Sequence, residues 1–207
     1  MRTAPILVIL AMALGACGGS DGPALVDGAA STSATSAAAT EPASDSTLLV
    51  LAPGELTNDH VEPGVSFSQS PSFGGDHFPF WQNCGFYDVE VIEGAATHSL
   101  EHGAVWITYS DATSAAIIQE LEILADENDR LLVSPYPHGE ALVLSAWGAQ
   151  LRGGLTPQSA EVVDFLATYL DSDRAPEPGV SCAGAAGIPP SDVRTLADGS
   201  VLPPEWE

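Results

Sequence analysis

Four of the chain's five histidines lie between His60 and His102. The tightest group is His98-Ser99-Leu100-Glu101-His102-Gly103, whose two imidazoles are four residues apart, a spacing that places them on one side of a helical turn or of a strand. Neutral imidazole is a good ligand for zinc and copper and is largely unprotonated at neutral pH. Two ligands alone seldom hold an ion. His77, in Gly74-Gly75-Asp76-His77, is the best third candidate, because the glycines let a loop fold close to the strand expected after Gly103, and His60 is a fourth. The residues therefore predict a Cu(II) or Zn(II) site made by His77, His98, His102 and His60, with Glu101 hydrogen-bonding a ligand histidine and fixing its tautomer. The competing reading is a non-enzymatic envelope interaction domain in which the same histidines only brace a loop.

The same residues also fit His-x-x-Glu-His, the inverted zinc-peptidase pattern, in which the glutamate activates a metal-bound water. That pattern belongs inside a long helix. Here Gly94-Ala95-Ala96 precedes it, a β-rich run follows Gly103, and no long second helix offers a distal acid. A metal-dependent hydrolase using Glu101 is thus a second alternative, and a binding role is expected over an enzymatic one. Both methionines, Met1 and Met12, fall in a segment expected to be removed, which excludes a thioether-rich cuprous site and a blue-copper centre with an axial methionine. Asp76 and the acids of the tail are expected to be solubilising charges, His138 an exposed turn residue, and Trp81, Trp106 and Trp147 core or pocket walls.

The elements that must position these residues follow from periodicity. Phe86 to Ile92 alternates apolar and acidic residues and predicts a strand with one wet face; Ala104 to Tyr109 is apolar on both faces and predicts a central strand. Ser110 or Asp111 is expected to cap a helix running to about Asn128, with Ile117, Leu121 and Leu124 on its inner face. Leu131 to Val133 and Ala141 to Trp147 predict two further strands, separated by a turn from Pro135 to Gly139. Thr156-Pro157 reads as a helix start, with Val162, Phe165, Leu166, Tyr169 and Leu170 as the buried stripe. This order predicts an α+β fold: a small, mainly antiparallel sheet with two helices on one face, ferredoxin-like as the leading arrangement.

The 207-residue chain has a formal charge of -23 and no lysine, which argues against nucleic-acid binding and excludes lysine Schiff-base chemistry. At its start, Arg2 precedes an unbroken apolar run from Ile6 to Leu14 that ends in Leu14-Gly15-Ala16-Cys17. This layout predicts a lipoprotein export signal over 1–16, its apolar run too short for the roughly 20 residues that cross a bilayer. Cys17 is the expected lipidated residue. Residues 17–46, rich in Ala, Ser and Thr, form the expected flexible linker, and 47–207 a single globular domain with a Pro- and Gly-rich tail from about 174. The domain is expected on the extracytoplasmic face of the cell membrane, held there by lipid, with any protein partner unspecified. Cys84 and Cys182 are then the remaining thiols, in an oxidising compartment. A disulfide between them is favoured, and a pair of thiolate metal ligands is the competing reading.

These residues resemble a bacterial extracytoplasmic family, the domain of unknown function 3105. The likeness rests on His98-Ser99-Leu100-Glu101-His102-Gly103 and the strand-like run after it. It extends through His60-Val61, Gly75-Asp76-His77, Trp81, Gly85-Phe86-Tyr87, Ala146-Trp147-Gly148 and Ala175-Pro176-Glu177. The chain departs from the family pattern at Phe67 and in the Gly74-Gly75-Asp76 approach to His77. The resemblance implies no established activity. It implies that His60, His77, His98, Glu101 and His102 are shared polar residues and that members are exported and membrane-attached.

Overall fold

The structure, a computed structural model, describes residues 45–187 and 192–206. The expected export signal at 1–16, Cys17 and all but the last two residues of the expected linker lie outside the described residues. The elements run in the order β1 (Thr47–Val50), β2 (Gly85–Phe86), α1 (Glu93–Glu101), β3 (Val105–Tyr109), α2 (Ala115–Asp126), β4 (Leu131–Pro135), β5 (Leu142–Ala146), β6 (Ala149–Gly153) and α3 (Ala160–Tyr169), with a 3-10 turn at Pro204–Trp206.

Every residue of β3 is β-branched or aromatic, and all five are buried. That composition suits a strand covered on both faces. β3 accordingly sits inside a six-stranded sheet of order β1-β6-β5-β3-β4-β2. It pairs antiparallel with β5 and parallel with β4, which in turn pairs parallel with β2. The fold is α+β, but the expected small, mainly antiparallel sheet is corrected to a mixed one. The β3–α2–β4 connection is a parallel crossover, so the ferredoxin-like expectation is left without support.

Side chains alternate across a strand, so β3 feeds two cores. Val105, Ile107 and Tyr109 pack with Leu121 and Ala125 of α2 and with Val162, Phe165 and Tyr169 of α3. Trp106 points the other way, into a cluster with Ala96 and Leu100 of α1, Tyr87, Leu132 and Trp147. Two helices thus cover one face, and α1 lies on the opposite face. A third cluster, around Phe78, Ile92, Ala95, Ala186 and Leu202, gathers the tail against α1.

Several local expectations shift. The predicted Phe86–Ile92 strand shrinks to the two residues of β2, which among the described residues pairs only with β4, and Val89 beyond it is 42% exposed. Helix α2 is capped by the Ser114 hydroxyl, which accepts from Ile117 N, because Ser110 is used in a turn and donates to the Glu140 carbonyl. His138 is not an exposed turn residue. Its ring is sheltered and lies 3.0 Å from the Thr108 hydroxyl.

Candidate metal centre

Helix α1 carries the motif on its last turn, and it is enclosed rather than amphipathic: Gly94 through Glu101 are all buried. Gly94 is where α1 meets the preceding loop, since a Cβ there would lie 2.7 Å from the Phe78 ring. That closeness lets Phe78 N donate to Gly94 O at 3.2 Å and Gln82 N to Ala95 O at 3.0 Å, tying the 77–82 loop to the helix. Gly103 ends the helix at φ +91, donating to Leu100 O at 3.0 Å and accepting from Asp171 N at 2.8 Å; a Cβ there would meet the Asp171 backbone at 3.0 Å. His60 and His77 are paired through their backbones, with Val61 N donating to His77 O at 2.8 Å and His77 N to Asp59 O at 3.1 Å.

These contacts bring the imidazoles together. Ring centroids are 5.0 Å apart for His60 and His77, 4.8 Å for His60 and His98, and 4.7 Å both for His77 and His98 and for His98 and His102. His77, His98, His102 and Glu101 are buried, while the His60 side chain is 49% exposed. The Glu101 Oε2 atom lies 3.0 Å from His77 Nε2, 3.7 Å from His60 Nε2 and 4.0 Å from His98 Nε2.

The other ring nitrogens are already committed. His77 Nδ1 lies 2.8 Å from Gly75 O, His98 Nδ1 2.6 Å from Phe78 O, and His102 Nδ1 3.2 Å from Ser181 O. A carbonyl oxygen only accepts, so each Nδ1 carries the hydrogen and each neutral ring presents its lone pair at Nε2. Main-chain carbonyls, rather than Glu101, therefore set the tautomers. Glu101 stands on the lone-pair side, its Oε1 accepting from Asn58 Nδ2 at 2.9 Å. Two contacts then need a positive centre between acceptors: His77 Nε2 against Glu101 Oε2 at 3.0 Å, and His98 Nε2 against His102 Nε2 at 3.1 Å. A proton or a cation meets that need. Donors on one tetrahedral ion with bonds near 2.0–2.1 Å are themselves about 3.3 Å apart.

The four expected histidines do not form one set. His60, His77, His98 and Glu101 offer ligand atoms within 4.8 Å of one another, and a second group of the same tightness joins Glu101 to His102 and Glu177. Glu177, expected as a solubilising charge, has Oε2 3.6 Å from His102 Nε2 and its backbone N bonded to Glu101 O at 3.0 Å. Asn58 and Ser181 were also missed; polar residues of such common types carry no sequence signal until the loops that hold them are placed. Trp81 packs on the rings of His102 and His98, at 4.9 and 5.6 Å, and Trp147 on His77 at 5.8 Å. Cys84 and Cys182 form a disulfide with a Cα–Cα distance of 5.4 Å, which removes the alternative of two thiolate ligands.

Burial lowers the His98 pKa to about 4, against the hydrogen bond to Phe78 O and helped by the neighbouring His77, His102 and His60. Burial also lowers His102, in part countered by the Ser181 carbonyl and Glu177. At Glu101 burial pushes upward, but in the metal-free protein a proton held between its Oε2 and His77 Nε2 and the hydrogen bond from Asn58, together with positive charge on His77 and His98, outweigh it and hold the carboxyl at about 2. The sign of the pH dependence follows. Between pH 6.5 and 4 the unfolded chain protonates His98 while the folded one does not, so stability falls as the pH drops through that window. Glu101 adds a loss below its ordinary value of 4.5, down toward 2. The metal-free protein is expected to lose roughly 3 kcal/mol by pH 4 from His98 alone. Urea titrations from pH 7 to pH 4 measure this, and the slope should flatten in His98→Asn.

The chain matches the family described as protein of unknown function (DUF3105) over residues 60–184, more than half of its 207 residues. No curated protein and no solved structure matches it. The match begins at His60 and takes in every residue of both ligand groups and both cysteines, so the chain belongs to the DUF3105 family, proteins of unknown function.

Proposed function

We propose that this is an exported metal-binding protein, anchored by lipid on Cys17 to the extracytoplasmic face of the cell membrane, whose main site binds one divalent ion through His60, His77, His98 and Glu101. A single observation carries the metal reading: buried rings whose Nδ1 hydrogens are spent on main-chain carbonyls turn their Nε2 lone pairs toward one ionised carboxylate. Such backbone-fixed tautomers are the usual support of histidine ligands. Three imidazoles and a carboxylate suit Zn(II) or Cu(II), with copper intrinsically tighter and availability outside the cell deciding which is carried. An open cleft of about 510 Å³, lined by Val61 and Asp76, the chain neighbours of His60 and His77, and by Glu55 and Glu62, favours the approach of cations. The anchor rests on the Leu14-Gly15-Ala16-Cys17 sequence alone.

The hydrolase reading gains one observation, since the His-x-x-Glu-His residues do lie at the end of a helix. Glu101, however, is bonded by Asn58 and His77 and grouped with the rings as a ligand. Titration of the full-length protein in detergent with Zn(II) and with Cu(II) separates these readings. Binding tighter than ~10 μM, weakened at least a hundredfold by His98→Ala and by His77→Ala, is expected. Weaker binding in the wild type, with the melting temperature lowered by His98→Ala, leaves a structural histidine cluster. Turnover lost in Glu101→Gln with metal content kept supports a hydrolase.

A further inference from the structure

His102 is the ligand-type residue that the four-donor site does not use, and its surroundings are built. Its Nδ1 hydrogen is taken by Ser181 O at 3.2 Å, its ring is 2% exposed, and Trp81 packs on it at 4.9 Å. Its Nε2 lone pair faces another lone pair, that of His98 Nε2, at 3.1 Å, and the Glu177 carboxylate at 3.6 Å. Two acceptors held this close in a buried site cost free energy unless a cation lies beside them. The loop carrying Glu177 is fixed rather than free, because Glu177 N donates to Glu101 O at 3.0 Å and Arg130 Nη1 donates to both His102 O and Val180 O at 3.0 Å.

We propose that the protein holds a second divalent cation, coordinated by His102 and Glu177 and bridged to the first by the Glu101 carboxylate. The inference rests on the metal reading above and extends it. Glu101 belongs to both ligand groups, and of the roughly four lone-pair sites of a carboxylate Asn58 occupies one. Bridged ions of this kind lie about 3.5–4 Å apart, so ligands of neighbouring ions fall as close as His98 and His102 do. The two positions differ. The inner ion has four protein donors and is closed. The outer ion has three, and Glu177 is 52% exposed, so it keeps a solvent-facing position of the type that exchanges metal or takes an external ligand. Trp81, whose indole N–H is buried with no acceptor among the described residues, leaves a hydrogen-bond donor on a ring that packs against His98 and His102, for a water or anion on that ion.

The test uses the full-length protein in detergent and the metals alone. Equilibrium dialysis with Zn(II) is expected to give two ions per chain, the second at least tenfold weaker, and Glu177→Gln and His102→Ala are expected to bind one, with the first affinity changed less than threefold for Glu177→Gln. Glu177 is half exposed, so its variant should fold, and a thermal melt confirms this. With Cu(II), one equivalent is expected to give an ordinary isolated spectrum by electron paramagnetic resonance. Two equivalents should lose signal intensity through coupling between neighbouring ions. One ion per wild-type chain overturns the second site and leaves the first intact. No ion overturns both. Two uncoupled ions, or two ions retained by Glu177→Gln, place the second on the acidic surface and overturn the bridge.

Discussion

Serine at both Cys84 and Cys182 lowers the thermal midpoint by about 10–20 °C while the first equivalent of Zn(II) still binds within about tenfold of the wild-type affinity. The crosslink spans 98 residues, and closing a loop of about 100 removes roughly 4.7 kcal/mol of unfolded-state chain entropy. At about 2–4 °C per kcal/mol for a chain of this size, that loss gives the stated shift. The effect on the site is uneven for a structural reason. The disulfide holds the segment in which Cys182 O accepts from Cys84 N at 2.9 Å and the adjacent Ser181 O holds His102. His60 and His77 depend instead on their own backbone pairing, and His98 on Phe78 O. Calorimetry and metal titration on the same sample check both halves. A midpoint lowered by less than 3 °C, or loss of the first ion together with the crosslink, contradicts this division.

Saturation with Zn(II) raises the midpoint of the wild-type protein by about 8–16 °C, and Glu101→Gln and His77→Ala each remove most of that rise. Free ligand at about a thousand times its dissociation constant stabilises the folded state by roughly 4.1 kcal/mol, which sets the size. The difference between metal-loaded and metal-free midpoints isolates binding from folding. This matters because Glu101 also bonds Asn58 and His77, so either substitution shifts the metal-free midpoint by itself. Glutamine keeps the size of Glu101 and the contact with Asn58 but withdraws the ionised oxygen near which the rings converge. An equal metal-induced rise in the wild type and in both variants shows that the metal sits elsewhere.

The convergence of His60, His77 and His98 was legible because scarce residues of one type were concentrated in one stretch, and β3 was legible from its β-branched and aromatic run. Helix α1 was hidden. A helix enclosed on all sides shows no apolar stripe, and its polar side faces the site instead of solvent, so Gly94-Ala95-Ala96 counted against a long helix around the motif. The parallel pairing of β3 with β4 was hidden because residue patterns within strands do not state their neighbours' direction. β1 and β6 were not expected as strands: β1 is exposed at all four residues, and β6 follows β5 after only Trp147-Gly148. The role of Glu177 was beyond reach for a third reason. It approaches His102 only because the tail returns to the end of α1, a contact between distant parts of the chain that no local pattern encodes.

X-ray absorption at the zinc edge on the full-length protein loaded with one equivalent of Zn(II) tests the convergence of the rings most directly. The expected spectrum shows about four nitrogen and oxygen neighbours near 2.0–2.1 Å, with the outer-shell scattering of about three imidazoles. A six-coordinate, water-like shell without imidazole scattering, or a first shell containing sulfur, contradicts a centre built from His60, His77, His98 and Glu101.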